Sequence, residues 1–508
     1  MIILDGQSLT LELLKRIARD QEEVSIAESS QLLVQRASLF VESVVEDGKP
    51  VYGINTGFGD LADVIIEKKE VKKLQANLLK SHACGVGDPL PIEVVRGMMA
   101  LRINALIKGF SGIRLSTIEK LVELLNKNCI PVVYEKGSLG ASGDLALLSH
   151  MSLPLIGLGE VFYEGKKTET MEALKKMNIE PIKELYAKEG LSLINGTQAM
   201  SAIGGLVLYD SFKLLKFANL SLSLTMEALK GVIDAFDPRI QEVRGQLGQI
   251  DVAKEMRDNL LHSKHITKQN EHRVQDAYSL RCAPQVHGAT KDAMQHVLNI
   301  VEREMNAVTD NPILFIDKKE AISAGNFHGE PLALVFDYLG IAIAELANIS
   351  ERRIERLVNP DLSNGLPPFL AKHSGLNSGF MIVQYTAASL VSENKVLAHP
   401  ASVDSISSSA NQEDHVSMGS ISARKAKSIL DNSRKVIAME LFTAAQGLDF
   451  REKAQQGDKT AISYEYIRSH IPFIEQDEVM YPYLHQMEKM LMDDDFYQTV
   501  FKGEDLNG

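Results

Sequence analysis

An all-α protein, built on a bundle of long helices behind a mixed, loop-rich N-terminal region, is what the sequence predicts, on three observations. Apolar residues recur at helical spacing over long stretches, most clearly at 285–308, where Met294, Leu298, Val301, Met305 and Val308 alternate steps of four and three residues. Strand signals are few and short. Glycine punctuation is concentrated before residue 200, and helical patterns with little interruption follow it.

In chain order, Pro91 sits early in a helical run through "EVVRGMMALRINALI", the place where its missing N–H costs least. Ser116 with Glu119 forms a capping-box pattern ahead of "IEKLVELLNKN". "EVFYEGKKTE" (160–169) and "PILFIDKKEAISAG" (312–325) read as short hairpins with polar turns. Long helices are expected over about 200–235, 285–308, 331–358 and 420–446. The change of texture near 200 divides the chain into an N-terminal region, 1–200, and a long-helix bundle with a C-terminal helical region, 201–508. No Pro/Ser-rich linker marks that boundary, so one continuous body is expected.

With 508 residues the chain can bury a large core. Fifty-four basic against 67 acidic residues give a formal charge of -13, which opposes a broad polyanion-binding surface and argues against a nucleic-acid partner. The N-terminus lacks the basic-then-apolar pattern of a leader, and the apolar run near 340 is short and broken by Glu345, so no membrane partner and a cytoplasmic location are expected. Cys84, Cys129 and Cys282 are odd in number and far apart, so neither a disulfide framework nor a metal site is expected.

Several stretches carry residues able to do chemistry, each with an ordinary structural alternative. "VYGINTGFGD" (51–60) has three glycines but neither GxGxxG nor Gly-Lys-Ser/Thr, which leaves a turn that packs the Tyr52 ring or a loop that offers its phenol to a ligand. His82, in "LLKSHACGVG", is by itself as well explained by a structural hydrogen bond. Asn195, in "LINGTQAM", reads as a residue at the start of a helix, where capping competes with ligand binding. In "QDAYSLRCAPQ", Arg281 can clamp a carboxylate with its two-pronged donor face or join a surface ion pair. Gln412, Glu413, Asp414 and His415 are consecutive, so on a helix they would point apart, and metal binding is a poor reading. "GSLGASGDLALLSH" (137–150) surrounds Ala141-Ser142-Gly143 with small residues, as in a turn capped by Asp144 or a backbone loose enough to react with itself.

Taken together and in order, "VYGINTGFG", "SHACGVG", "GSLGASGDLALLSH", "LINGTQAM", "QDAYSLRCAPQVHG", "DNPILF", "GNFHGEP" and "SANQEDHVSMG" resemble the histidine/phenylalanine/tyrosine ammonia-lyase family, from about residue 1 to past 420. His82 after Ser81, Glu413 in "NQEDHVSM" and His328 in "GNFHGEP" resemble the branch that acts on histidine. One departure is Leu147, where the family usually has proline; it lies beyond the tripeptide and bears on helix geometry. The resemblance implies a long central helix bundle of the aspartase/fumarase-like type. It also implies a 4-methylidene-imidazol-5-one formed autocatalytically from Ala141, Ser142 and Gly143, with no external cofactor, and a homotetramer with shared active sites.

The implied reaction is non-oxidative deamination of L-histidine to trans-urocanate and ammonia, the first step of histidine degradation. Glycine at 143 suits the cyclisation, because its amide nitrogen must approach the Ala141 carbonyl where a Cβ would obstruct. By resemblance, Tyr52 is the base and Tyr278 sits beside the prosthetic group. Arg281 holds the substrate carboxylate with Asn195, His82 and Glu413 bond the imidazole, and Phe327 packs against the substrate or the ring. Gln275 and Gln412 are expected behind these groups. Two alternatives stay open: a tyrosine or phenylalanine lyase or aminomutase of the same family, and a helical scaffold that lost the chemistry. His82 and Glu413 weigh against the first, since a phenyl ring rewards no buried carboxylate.

Overall fold

The computed structural model describes residues 1–48, 50–57, 59–61, 64–504 and 506, with the side chain of Asp60 left aside. Helices dominate, and the four expected long ones are Gln198–Ala228, Ala283–Met305, Glu330–Val358 and Gly419–Asp449. Met294, Leu298, Val301 and Met305 are buried as the periodicity requires, whereas Val308 lies past the helix end. Both expected hairpins form: Glu160–Tyr163 with Lys166–Glu169, and Ile313–Phe315 with Glu320–Ile322. The first turns tightly at Glu164 and Gly165, both at positive φ. Three strand pairs escaped the sequence reading, parallel Ile2–Leu4 with Val24–Ile26, antiparallel Val86–Pro89 with Tyr134–Lys136, and antiparallel Ile130–Pro131 with the first hairpin, because segments this short carry no readable alternation.

Local signals failed in three places. The helix through Ser116 begins at Leu115 with Arg114 as its cap residue, so Ser116 and Glu119 are inside it and form no capping box. Pro91 occupies the cap position of Ile92–Leu106 and not the first turn. The segment near 340 belongs to a 29-residue helix apolar enough by length and composition to cross a membrane; 67% of its most apolar stretch is buried, as in a core helix.

The described residues fall into two compact units. One comprises 1–209, 298–337 and 400–424; the other comprises 210–297, 338–399 and 425–508. In the first, Ile92–Leu106 is buried along nearly its whole length, including two arginines. Arg96 reaches the carbonyls of Ile17 and Leu125, at 3.0 Å each, so its charge is spent on carbonyls at the ends of two helices. Gly204 leaves room for Phe336, whose ring would lie about 2.0 Å from any added Cβ. In the second unit, Arg353 and Glu440 form a fully buried bidentate pair at 2.5 and 2.7 Å. Ser221, Thr225 and Ser350 donate to the same carboxylate, and Arg353 donates to His287 Nε2 at 3.3 Å. Burial holds the His287 pKa well below its usual value, which suits a neutral ring whose Nδ1–H bonds Asn219 at 2.7 Å.

Candidate active site

The glycine-serine loop 137–144 in the first unit is pinned at both ends and turned sharply between them. The Met418 N–H donates to the Leu139 carbonyl at 2.8 Å. Ser417 and Ser420 hydroxyls donate to the carbonyls of Gly140 and Ser138 at 3.0 and 3.1 Å. At the other end the Asp144 N–H donates to the Gly196 carbonyl at 2.7 Å, and Ser138 Oγ donates to the Gly143 carbonyl at 3.1 Å. Gly143 has φ +74°, and a Cβ there would fall 2.1 Å from the Gly196 oxygen, so no other residue fits. Ala141 packs its methyl against Val416 and Met418. The segment fits a tripeptide that closes on itself: its ends are fixed, and its glycine is in the conformation and the confined space that only glycine tolerates.

Asp144 does not cap the following helix, Leu145–Ser152, as the local pattern suggests. Its carboxyl is fully buried and accepts from the Met200 N–H at 2.9 Å, at the start of Gln198–Ala228. Burial pushes its pKa up to about 7, against the opposing effect of the Met200 and Ala199 N–H groups and Ser138. Leu147 is buried inside Leu145–Ser152, so the residue in place of the family's proline continues the helix and fills core space.

The Ser142 hydroxyl donates to Glu413 Oε1 at 2.9 Å across 271 residues of sequence. Glu413 Oε2 accepts from Ser408 Oγ at 2.9 Å, and the two backbones exchange hydrogen bonds at 2.9 and 3.2 Å. Gln412 and Glu413 are not on a helix. They follow a short turn, Ser409–Asn411, in which all three residues have positive φ, so the peptide groups of the acidic stretch are aimed by the turn. Gln412 is exposed there and Glu413 half-buried.

Tyr52 is half-buried, and its hydroxyl accepts from the Gly59 N–H at 3.4 Å. Burial raises the phenol pKa above its usual 10.0, the Gly59 bond opposes this, and the charges of Glu413 and Asp310 add to the rise. Left to this chain's own groups the phenol stays protonated near neutrality, the reverse of a ready base. His82 ends the helix Val71–His82, with Nδ1 3.0 Å from Ser81 Oγ. Burial lowers its pKa, and the nearby Glu413 charge partly offsets that, so the ring is neutral at pH 7.

Asn195 follows the helix Glu189–Ile194 and is not at a helix start; the next helix begins at Gln198. Its side chain is 2% exposed, and Oδ1 has no hydrogen-bond partner among the described residues, a buried acceptor next to the Gly143–Gly196 bridge. Arg102 fixes this turn from both sides, donating to the Ser192 carbonyl at 2.9 Å and to Gln198 Oε1 at 2.9 Å. Phe327 lies half-buried beside His328, whose Nε2 donates to the His415 carbonyl at 3.2 Å.

Gln275, Tyr278 and Arg281 belong to the second unit. Arg281 Nε donates to the Asp276 carbonyl at 2.8 Å, and its guanidinium lies 4.5 Å from the Tyr278 ring centre. Tyr278 is 70% exposed. Arg281 and exposed Gln275 line a cavity of about 610 Å³ with Asp276 and Gln285. Sequence reasoning missed Ser408, Ser138 and Arg102. Ser408 grips Glu413 across an irregular turn, Ser138 is one of many serines, and Arg102 reads as one more residue of an apolar helix.

Residues 9–469 match the aromatic amino acid lyase family. A histidine ammonia-lyase of Fusobacterium nucleatum is 55% identical over 502 residues, covering 99% of this chain and 97% of that protein. The crystal structure of histidine ammonia-lyase from Trypanosoma cruzi superposes with a TM-score of 0.91 at 43% identity, covering 98% of this chain and 94% of that one. A tyrosine aminomutase from Streptomyces globisporus superposes with a TM-score of 0.95 at 35% identity, covering 99% of both chains. Backbone similarity therefore does not separate the branches, and side chains at the site must. By sequence match across nearly its whole length, this chain belongs to the aromatic amino acid lyase family.

Proposed function

We propose that this protein is a histidine ammonia-lyase that converts L-histidine to trans-urocanate and ammonia. The observation that carries the reading is Glu413, whose carboxylate is held 2.9 Å from the hydroxyl of Ser142 and close to the neutral His82 ring. A half-buried carboxylate at the tripeptide, with an imidazole within its electrostatic reach, rewards a substrate ring with nitrogens and penalises a phenyl ring. Identity to histidine ammonia-lyases, 55% against 35% for the tyrosine aminomutase, supports the same choice.

Ala141, Ser142 and Gly143 would hold the 4-methylidene-imidazol-5-one, which supplies an electrophilic carbon that makes the substrate amine a competent leaving group. Glu413 and His82 orient the imidazole and set its tautomer. Asn195, with its amide turned so that NH2 faces the ligand, steadies the carboxylate that Arg281 binds; in the opposite orientation Oδ1 accepts from the ammonium. Tyr52 takes the β-proton once a bound ammonium counters the rise in its phenol pKa, which burial chiefly and the charges of Glu413 and Asp310 in addition produce. Phe327 would wall the ring side, and Tyr278, Gln275 and Gln412, all exposed on this chain, would join the site where subunits meet.

A homotetramer with active sites shared between subunits is part of the same reading. The exposure of Tyr278 beside a charged partner supports it, since a ring of that size left open on one chain is ready to be covered by another. A cytoplasmic setting agrees with three unpaired cysteines. The deciding assay follows ultraviolet absorbance of purified protein offered L-histidine, L-tyrosine and L-phenylalanine in turn. Strong preference for L-histidine is expected, and equal turnover of either other substrate reassigns the branch.

A further inference from the structure

We propose that Glu413 also builds the prosthetic group, acting as the proton shuttle that removes water from Ser142. This rests on the reading that Ala141, Ser142 and Gly143 cyclise. Ring closure and dehydration are separate events. Closure joins the Gly143 nitrogen to the Ala141 carbonyl carbon, and the departing water takes the carbonyl oxygen with the amide protons of Gly143 and Ser142. Dehydration then needs a base for the Ser142 Cα proton and an acid for its hydroxyl, because hydroxide is a poor leaving group.

One carboxylate is placed to do both. Glu413 Oε1 is 2.9 Å from Ser142 Oγ, and that oxygen is three covalent bonds (Oγ–Cβ–Cα–H) from the Cα proton. In the step proposed, the carboxylate takes the Cα proton and the electron pair left on Cα forms the Cα=Cβ bond. The Cβ–Oγ bond breaks, and Oγ departs as water with the proton Glu413 had taken. The carboxylate is restored, and no outside reagent is consumed. Ser408 is the positioning residue, fixing Oε2 through its hydroxyl and the Glu413 backbone through two further bonds. Asp144, the other acid of the loop, cannot substitute, because its carboxyl is committed to the Met200 N–H and to Ser138. Loss of the Ser142 hydroxyl also strips Oε1 of its donor. The reaction that makes the electrophile thereby frees the acceptor that the substrate imidazole needs.

Intact mass and peptide mapping test this without any turnover assay. Full-length wild type, Glu413→Gln and Ser408→Ala are purified soon after synthesis, checked for fold by circular dichroism, and followed over time. Wild type should lack two waters within the peptide holding residues 141–143. Glu413→Gln, which keeps the side chain's shape, should lack one, its ring closed and its hydroxyl retained, and should lose the second about a hundredfold more slowly. Ser408→Ala should fall between them. A folded Glu413→Gln protein that lacks both waters at the wild-type rate overturns the proposal. So does one with the unmodified mass, which would place Glu413 at ring closure instead. Wild type with an unmodified mass overturns the prosthetic-group reading itself.

Discussion

Glu413 and Glu440 are the same residue in two regions of one chain, and their surroundings differ in kind. Glu440 is fully buried, receives both prongs of Arg353 and is bonded by three hydroxyls, so its charge is matched and its lone pairs are filled. Glu413 is half-buried, has no ion pair among the described residues, and is held by two serines, one of which the proposed maturation consumes. A carboxylate whose bonding is complete can only stabilise, while one left short of a donor can bind or transfer protons. The first belongs to the helix core of its unit, the second to a loop region of the other.

The largest expected effect falls on the side of Glu413. Ser142→Ala removes the hydroxyl whose loss creates the alkene, so turnover of L-histidine should drop by at least about three orders of magnitude while the melting temperature stays within a few degrees. Near-normal turnover of that variant, or active wild type of unmodified mass, would remove Ser142 from the chemistry.

On the other side, Glu440→Ala strands a buried guanidinium and should cost roughly 3–5 kcal/mol of stability in denaturant unfolding. Per folded molecule, KM and kcat should change little. The double variant Arg353→Met with Glu440→Leu should recover only part of that loss, because an apolar pair leaves no charge unpaired but strands the hydroxyls of Ser221, Thr225 and Ser350. If Glu440→Ala lowers kcat selectively with stability intact, the division between a structural and a reacting carboxylate collapses.

The smallest effect sharpens the comparison at Asp144, which is buried like Glu440 but has no ion pair among the described residues. A carboxyl raised from 3.8 to about 7 binds its proton more tightly when folded, so its contribution to stability is complete below pH about 4 and is lost as pH rises through about 7. Asp144→Asn cannot titrate. Wild type should therefore lose melting temperature relative to this variant between pH about 4 and about 7, and parallel curves would show that the helix N–H groups already hold Asp144 ionised.

The extent of the long helices was legible because periodicity needs only local sequence: Met294, Val301 and Met305 are buried where their spacing places them. The need for glycine at 143 was legible as a close approach that a Cβ would obstruct, and the structure adds a positive φ there. The sequence also determined, through ordered motifs, which family and which reactive tripeptide to expect. Only the tertiary structure decided what each polar group bonds. Asp144 caps a distant helix and not its own, Asn195 ends a helix and keeps an orphaned oxygen, and Ser116 is swallowed by a helix that starts one residue earlier. The Glu413 contact with Ser142 spans 271 residues, and no local spacing encodes it. Helix and turn preferences act between neighbours in the chain, whereas the bonding and solvation that set a carboxyl's reactivity depend on atoms that only folding brings within reach.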